Sequence, residues 1–363
     1  MSRTIPDHIA RISPYVPGMP DEDLGGKSSA QLASNENPLG PSPRALRAVR
    51  SVLRQSHRYP EGGGHILRNA ISRHVDLPPD QIILGNGSTE LVEMLARTFV
   101  GSHGEAVMAT PSFVMYRIAV QAVNGRAREV PLQKMRYDLA GLAAACGTQT
   151  GLAYIANPNN PTGTYVSKDE LGEFLNRVPD SVLTVLDEAY AEYVEAADYP
   201  SGRSYVESGR RLIVLRTFSK AYGLAGLRIG YGLAAREVIA LLERVRSPFN
   251  TSRVAQAAAL AALEDGEHLE RSRAVNRGGR SFLEDQLRRR GVGFVPSVAN
   301  FLLVDLGRDA EEAYRAFLRE GVIARPMSAY GLKTALRVTV GTPRDNRRFL
   351  RCLDRYIGRS PRS

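Results

Sequence analysis

Residues 217–231 have the sequence Thr-Phe-Ser-Lys-Ala-Tyr-Gly-Leu-Ala-Gly-Leu-Arg-Ile-Gly-Tyr, and they follow the apolar run Leu212-Ile213-Val214-Leu215. Such a run, bounded by polar residues, predicts a buried strand of a parallel sheet. Lys220 therefore comes just past the end of a strand, which is where open α/β sheets place their binding sites. Small residues on both sides of this lysine allow a ligand to approach the backbone closely. The stretch predicts an α/β fold with a site after this strand.

The composition of the chain is that of a globular protein. It has 363 residues, of which 43% are hydrophobic and 24% charged, enough for a large core and two domains. The longest apolar runs are too short to span a membrane, and residues 1–15 lack the apolar segment of a secretory signal. The two isolated cysteines, Cys146 and Cys352, are typical of a reducing compartment, so we expect a cytoplasmic protein. No tight cluster of His, Cys and carboxylate residues predicts a metal site.

The formal net charge is +10 at pH 7. A basic protein is a candidate for nucleic-acid binding, but the arginines are spread through predicted helices and no basic tail or RNA-recognition motif is present. We therefore interpret the charge as a solvated surface that also favours anionic ligands, and we expect neither nucleic acid nor membrane as a partner.

Strands and helices alternate over the first two thirds of the chain. Strands are predicted at 81–84, 106–109, 127–130, 152–156, 182–186 and 212–215, and helices at 43–53, 66–74, 91–99 and from 114. This alternation predicts a doubly wound, mostly parallel sheet.

The pattern changes at about residue 265. Helices are predicted at 267–290, 310–320 and 344–357, and short strands at 293–295, 300–305, 322–325 and 335–340. We therefore expect an N-terminal arm (1–43), a large α/β domain (44–265) and a smaller α+β domain (266–363).

A second candidate site element is Gly85-Asn86-Gly87-Ser88-Thr89-Glu90, which lies between a predicted strand and a predicted helix. Free N–H groups and the positive end of the helix would favour a phosphate there, although an ordinary capped turn has the same composition. Arg228 is a fixed positive charge that also suits a phosphate. A lysine, hydroxyls and an arginine together favour a site for pyridoxal phosphate.

Further candidates follow other predicted strands. Asp187 comes directly after an apolar strand, where a carboxylate needs a cation such as a protonated pyridine nitrogen. Asn160 and Tyr190 could hydrogen-bond the phenolic oxygen of such a ring, and Phe113 could stack on its face. Each residue alone has a structural alternative as a cap, turn or core residue. Their coincidence at successive strand ends favours one shared site.

Two arginines are placed unusually in the predicted small domain. Arg337 lies inside the apolar strand 335–340, and Arg325 ends the short strand before it. A buried arginine is costly unless it meets an anion. An internal carboxylate would serve, but a substrate carboxylate or phosphate is the sharper hypothesis.

Nine segments together resemble, in order, the histidinol-phosphate aminotransferase family of fold-type-I pyridoxal phosphate enzymes. They are LASNENPLGPSP (32–43), RYP (58–60), GNGSTE (85–90), NPNNPTGT (157–164), DEAYAEY (187–193), TFSKAYGLAGLRIGY (217–231), ANFLL (299–303), GVIARPMSAYGL (321–332) and ALRVTVGTP (335–343). The resemblance covers nearly the whole chain. It implies an aspartate-aminotransferase-like fold and a homodimer whose subunits share their active sites.

The resemblance also implies a role for each candidate residue. Lys220 would form the Schiff base and shuttle the proton, and Asp187 would pair with the pyridine nitrogen. Asn160 and Tyr190 would hold the phenolic oxygen of the ring, and Phe113 would stack on its face. The cofactor phosphate would be held by Gly87, Ser88, Thr89, Thr217, Ser219 and Arg228, and by Tyr59 of the neighbouring subunit. The substrate would meet Tyr15, Asn35, Arg325 and Arg337.

The implied reaction transfers an amino group between L-histidinol phosphate and 2-oxoglutarate, giving imidazole-acetol phosphate and L-glutamate, in histidine biosynthesis. The chain departs from the family pattern at Ser252 and Arg253, where relatives usually carry Asn and Ser, and this segment could border the substrate pocket. Phe113 is often Tyr and Thr89 often Asn or Asp. Two alternatives therefore stay open: an aminotransferase for aromatic or other 2-oxo acids, and a lyase similar to threonine-phosphate decarboxylase.

Overall fold

The computed structural model describes residues 5–14 and 29–358. The strands are β1 (Ala30–Gln31), β2 (Ile82–Gly85), β3 (Glu105–Thr110), β4 (Arg126–Pro131), β5 (Thr150–Ala156), β6 (Leu183–Asp187), β7 (Leu212–Thr217), β8 (Gly230–Ala234), β9 (Gly293–Val295), β10 (Phe301–Asp305), β11 (Val322–Ile323), β12 (Arg325–Pro326) and β13 (Ala335–Thr339). The α-helices are α1 (Asp7–Ala10), α2 (Pro43–Val52), α3 (His65–Val75), α4 (Gly87–Phe99), α5 (Met115–Ala122), α6 (Leu139–Ala145), α7 (Lys168–Arg177), α8 (Gly202–Glu207), α9 (Arg236–Glu243), α10 (Arg253–Leu263), α11 (Gly266–Arg289), α12 (Ala310–Arg319) and α13 (Pro343–Ile357).

The larger sheet has seven strands in the order β2-β8-β7-β6-β5-β3-β4. All its pairs are parallel except those that β8 makes with β2 and β7. The prediction of a doubly wound, mostly parallel sheet is thus confirmed. The connection from β7 to β8, residues 218–229, contains no α-helix to cross a face of the sheet, and β8 runs antiparallel to β7.

Helices cover both faces of this sheet, which explains why its central strands are apolar throughout. Alternate side chains of one strand enter different cores: Val214 packs in one cluster, and Ile213 and Leu215 pack in the other. In β6, Leu186 and Val185 divide in the same way. The carboxyl ends of β5, β6 and β7 lie side by side, so the loops that follow them meet at one edge of the sheet.

The smaller sheet is antiparallel, in the order β12-β13-β10-β9. Its apolar face, which includes Leu302 and Leu336, packs with residues of α11, α12 and α13 such as Leu287, Phe317 and Phe349. This is the predicted α+β arrangement of the C-terminal third of the chain.

The arm is joined to this smaller unit. β1 pairs in parallel with β11, and Ala30 and Leu32 are buried in the same core as β10 and β13. The prediction of a single strand at 322–325 is wrong, because Val322 and Ile323 pair with the arm whereas Arg325 pairs with β13. Each of the two strands has two residues.

Candidate active site

An open cleft of about 950 Å³ lies at the carboxyl ends of β5, β6 and β7, beside the smaller sheet. Residues from the arm, from both sheets and from the loop after β7 line it. The cleft brings together the following predicted residues: Asn35, Ser88, Thr89, Phe113, Asn160, Asp187, Tyr190, Thr217, Ser219, Lys220, Arg228, Arg325 and Arg337.

Three predicted residues are placed elsewhere. Gly87 precedes Ser88 and lies against the guanidinium of Arg228. Tyr59 is outside the cleft of its own chain, with 77% of its surface exposed and its ring stacked on Phe249 at 4.6 Å between centroids. Tyr15 lies outside the described residues.

Ser252 and Arg253 were predicted as residues that could border the substrate pocket, and that prediction is not met in this chain's own cleft. Neither residue lines it. Ser252 is the N-cap of α10, accepting a hydrogen bond from the N–H of Ala255. Arg253 points to the loop after α2, where its Nη2 donates to the carbonyl oxygen of Tyr59 at 2.8 Å.

Lys220 follows β7 by three residues, as the sequence predicted. Its Nζ donates to the carbonyl oxygen of Ser34 at 2.9 Å. Burial lowers the pKa of Lys220 to about 8, and the positive charges of Arg337 and Arg228 act in the same direction. An amine with such a pKa can both gain and lose a proton near neutral pH, as a proton-transfer residue must.

Asp187 is the last residue of β6 and is 5% exposed. Its Oδ2 accepts a hydrogen bond from the hydroxyl of Tyr116 at 2.7 Å, and its Oδ1 accepts one from the N–H of Ala189 at 3.2 Å. Burial raises the pKa of Asp187 to about 6, and these two hydrogen bonds oppose the increase. The carboxylate is therefore ionised at neutral pH and suits a cationic ligand group.

The turn after β2 forms an anion-binding corner. Helix α4 begins at Gly87, earlier than the predicted residue 91, so Ser88 and Thr89 lie in its first turn, where N–H groups have no intrahelical partner. Arg228 donates to Ser219 Oγ at 3.2 Å, and both residues line the cleft beside this turn. A Cβ atom at Gly87 would lie 2.4 Å from Nη2 of Arg228, so only glycine permits this approach.

A hydrogen-bond network connects the arm, the larger sheet and the smaller sheet. The hydroxyl of Tyr190 accepts from Asn35 Nδ2 at 3.0 Å and from Asn160 Nδ2 at 3.3 Å. Burial raises the pKa of Tyr190 to about 12, so it stays a neutral hydroxyl. Arg337 donates to Asn160 Oδ1 at 2.6 Å and to the carbonyl oxygen of Ala33 at 2.5 Å.

The two arginines of the small domain face each other across neighbouring strands. Arg325 of β12 is in direct register with Arg337 of β13, and both side chains line the cleft. Like charges at opposite positions repel, and an anion bound between them would relieve that repulsion. This side of the cleft is therefore suited to anionic groups.

Other residues lining the cleft were not predicted from the sequence: Ala33, Ser34, Tyr116, Ala156, Pro158, Ala189 and Tyr330. Of these, Tyr116 contacts a predicted residue most directly. Its position three residues after Phe113, in the first turn of the predicted helix, was the available signal.

The chain is similar to known proteins in sequence and in structure. The profile described as "Aminotransferase class I and II" matches residues 28–353. A histidinol-phosphate aminotransferase from Moorella thermoacetica is 48% identical over 95% of this chain and 91% of its own length. One from Anaeromyxobacter sp. (strain Fw109-5) is 47% identical over 98% and 99%. The crystal structure of histidinol-phosphate aminotransferase from Sinorhizobium meliloti in complex with pyridoxal-5'-phosphate superposes with a TM-score of 0.90, at 30% identity, covering 99% of this chain and 98% of that one.

The fold and the cleft are those of a pyridoxal phosphate-dependent transferase with an aspartate-aminotransferase-like fold. The chain belongs to the class I and II aminotransferase family and, within it, to the histidinol-phosphate aminotransferases. The resemblance predicted from the sequence is thus confirmed.

The residues of the cleft fit pyridoxal 5'-phosphate on three observations. Lys220 offers an amine with a lowered pKa. Asp187 offers a buried carboxylate on the same side of the sheet. The corner formed by the first turn of α4, Ser219 and Arg228 offers hydroxyl, N–H and guanidinium donors to a phosphate.

In the described ranges 5–14 and 29–358, no group of His, Cys, Asp and Glu side chains is arranged to hold a metal ion. Over the same residues, every helix is too short or too polar to cross a bilayer.

Proposed function

We propose that this chain transfers an amino group between L-histidinol phosphate and 2-oxoglutarate, giving imidazole-acetol phosphate and L-glutamate, as a step of histidine biosynthesis in the cytoplasm. The names of the similar proteins support histidinol phosphate as the amino donor. The observation that carries the proposal is one cleft in which the Lys220 amine faces two arginines in register, Arg325 and Arg337. Both substrates have an amino or keto carbon and an anionic group. The free Cys146 and Cys352 are consistent with a reducing compartment.

Within this proposal, pyridoxal 5'-phosphate supplies an electron-withdrawing ring that stabilises negative charge at the substrate carbon. Its phosphate would be held by Ser88, Thr89, Thr217, Ser219 and Arg228, which line the cleft. Phe113 would pack on its ring, and Asn160 and Tyr190 would donate hydrogen bonds to its phenolic oxygen. Asp187 would supply a negative charge for its ring nitrogen.

Proton transfer is assigned to Lys220, and binding of the anionic groups of the substrates is assigned to Arg325 and Arg337. Nζ of Lys220, neutral above a pH of about 8, takes the proton from the α-carbon of the amino donor and later returns a proton to the acceptor carbon. To do so it exchanges its hydrogen bond with the carbonyl oxygen of Ser34 for the substrate. Arg337 binds the α-carboxylate of glutamate, and Arg325 binds the phosphate of histidinol phosphate.

A panel of amino donors and acceptors tests this function. Purified protein supplied with the cofactor is assayed with histidinol phosphate, phenylalanine and aspartate as donors to 2-oxoglutarate, and kcat/KM is compared. We expect the highest value for histidinol phosphate. A higher value for phenylalanine would instead support the aromatic aminotransferase, and carbon dioxide release from threonine phosphate would support the lyase.

The two arginines should separate the two substrates. We expect Arg325→Ala to lower kcat/KM for histidinol phosphate by about 100-fold, because charged hydrogen bonds to phosphate are lost, with a much smaller effect on phenylalanine. Arg337→Ala should raise the KM for glutamate by a similar factor. Arg319→Ala, at an exposed position on α12, is the matched control and should change neither. Equal losses with phosphorylated and unphosphorylated donors would contradict the role of Arg325.

We also propose a homodimer in which Tyr59 reaches the cleft of a second copy. Tyr59 and Ile66 are 77% and 72% exposed, unusual for large apolar side chains. The Tyr59 loop is nevertheless held in place, since Phe249 stacks on its ring and Arg253 and Arg246 donate to the carbonyl oxygens of Tyr59 and Gly62. A rigid, exposed aromatic side chain is well suited to contact a partner.

Subunit mixing tests the shared site. Lys220→Ala and Tyr59→Ala homodimers should each be impaired, and mixing equal amounts after mild dissociation should restore about a quarter of the wild-type activity, because random reassociation makes half of the dimers mixed. The mixed dimer would contain one site with an intact lysine and an intact tyrosine from the other subunit. Failure to recover activity, with mixed dimers shown by mass spectrometry, would mean that Tyr59 does not act across the interface.

A further inference from the structure

Tyr116 lines the cleft next to Asp187, and the proposed mechanism gives it no role. It is the second residue of α5, it is fully buried, and its hydroxyl donates to Oδ2 of Asp187 at 2.7 Å. Its ring lies parallel to that of Tyr154, with centroids 4.5 Å apart and an interplanar angle of 11°. The ring of Phe113 meets it edge-on, at 5.4 Å and 85°.

We propose that Tyr116 is a positioning residue that keeps Asp187 ionised and fixed in orientation, and that sets the angle of the Phe113 ring beside it. This inference rests on the proposed role of Asp187 as the partner of the cofactor ring nitrogen. Tyr116 was not identified from the sequence, and the proposed chemistry does not use it.

The orientation of Asp187 follows from its two donors. One carboxylate oxygen accepts from the Tyr116 hydroxyl and the other accepts from the N–H of Ala189, so rotation of the carboxylate would break both bonds. Hydrogen bonds to an ionised acceptor are short and strong, and the 2.7 Å distance is in that range. A buried carboxylate that lost the hydroxyl would be harder to ionise, because burial itself favours the protonated form.

Tyr116 can hold the carboxylate because it is held itself. Its ring is enclosed between Tyr154 and the edge contact with Phe113, and its N–H donates to the carbonyl oxygen of Phe113 at 3.2 Å. Phe113 and Asp187 come from different strand ends, and Tyr116 connects the two. The Tyr116 side chain thus connects Phe113, proposed to stack on the cofactor ring, to Asp187, proposed to pair with the ring nitrogen.

The titratable groups near Asp187 decide how its pKa responds. They are Tyr116 from α5, Tyr154 from β5, Tyr137 from the segment before α6, Tyr190 and Tyr199 from the segment after β6, the adjacent Glu188, and Lys220 after β7. Burial raises the pKa of each of these tyrosines, so they are neutral near pH 7. Among them, Tyr116 makes the hydrogen bond that lowers the pKa of Asp187.

The test removes one hydroxyl and keeps the ring. Tyr116→Phe is compared with Tyr154→Phe, which removes an equally buried hydroxyl that bonds the carbonyl oxygen of Val92 instead of Asp187. The measurement is the dissociation constant of pyridoxal 5'-phosphate from the cofactor-free protein, by absorbance titration. We expect about tenfold weaker binding or more for Tyr116→Phe and less than about twofold for Tyr154→Phe. Equal dissociation constants in the two variants would overturn the proposal.

Unfolding of the cofactor-free protein provides a readout independent of catalysis. The pKa of Asp187 is higher in the folded state, about 6, than its ordinary value of 3.8, so the stability that it contributes is complete at low pH and is lost as pH rises through about 6. Tyr116→Phe should raise this folded-state pKa further. The decrease in Tm between about pH 5 and pH 8 should then be larger than in Tyr154→Phe, and an identical decrease would count against Tyr116.

Asp187→Asn separates this inference from the role on which it rests. If Asp187→Asn weakens cofactor binding and Tyr116→Phe does not, Asp187 retains its role and Tyr116 loses the one proposed here. If Asp187→Asn leaves cofactor binding unchanged, both roles are overturned.

Discussion

Lys220→Ala is expected to lower kcat by at least about 10⁴-fold with every donor, because it removes both the amine that binds the cofactor and the group that moves the proton. The methyl group left at this position cannot accept a proton, and no other lysine of residues 5–14 and 29–358 lines the cleft. Steady-state turnover with histidinol phosphate and 2-oxoglutarate measures the effect. Normal multiple turnover in this variant would disprove the mechanism.

Chemical trapping locates the same amine. The chain has five lysines, so borohydride reduction of the cofactor-loaded protein followed by peptide mapping should label the peptide that contains Lys220 alone. Lys168→Ala, at the exposed first residue of α7, is the matched control and should keep both activity and labelling. In the cofactor-free protein, the rate of cofactor uptake should increase as pH rises through about 8, since only the neutral amine is nucleophilic.

Asp187→Asn is expected to lower kcat by about 10²- to 10³-fold. The amide keeps the size, and its oxygen can accept from the N–H of Ala189 while its nitrogen donates to the Tyr116 hydroxyl, but it cannot carry the negative charge that a protonated ring nitrogen needs. Asp180→Asn, at an exposed position just before β6, is the matched control and should have no effect.

The same variant should make the cofactor-free protein more stable. Above a pH of about 6 the wild-type carboxylate is buried and ionised, and the neutral amide removes this cost. Thermal unfolding at about pH 8 measures the difference in Tm. A lower Tm in Asp187→Asn, with reduced activity, would show that Asp187 is needed for folding and would leave no basis for a purely functional role.

The sequence predicted which residues would line one cleft where polar residues follow apolar strands. Lys220, Asp187 and Asn160 follow apolar strands closely, so their positions at one edge of a parallel sheet could be inferred from the order of residues alone. The helix after residue 265 and the strands at 293–295 and 335–340 followed from local pattern in the same way. Local signals were sufficient for these residues because the position of each depends on the element next to it in the chain.

Long-range pairing could not be predicted in the same way. β1 has two residues, and its partner β11 lies about 290 positions later, with no local pattern to indicate their register. The division of 322–326 into two strands depends on that pairing. Tyr116 was missed for a related reason, because a tyrosine on an apolar helix face has the pattern of a core residue until the carboxylate opposite it is known.

The arm supplies three consecutive contacts to the site: the carbonyl oxygen of Ala33 to Arg337, that of Ser34 to Lys220, and the side chain of Asn35 to Tyr190. Arg337 and Lys220 are therefore both hydrogen-bonded before a substrate binds. An incoming carboxylate must compete with these peptide oxygens. The binding affinity therefore reflects only the difference in free energy between the hydrogen bond to the substrate and the hydrogen bond to the peptide oxygen that it replaces. The two carbonyl oxygens belong to neighbouring peptide units. A ligand that displaces one carbonyl oxygen from its cation therefore also shifts the carbonyl oxygen that binds the other cation.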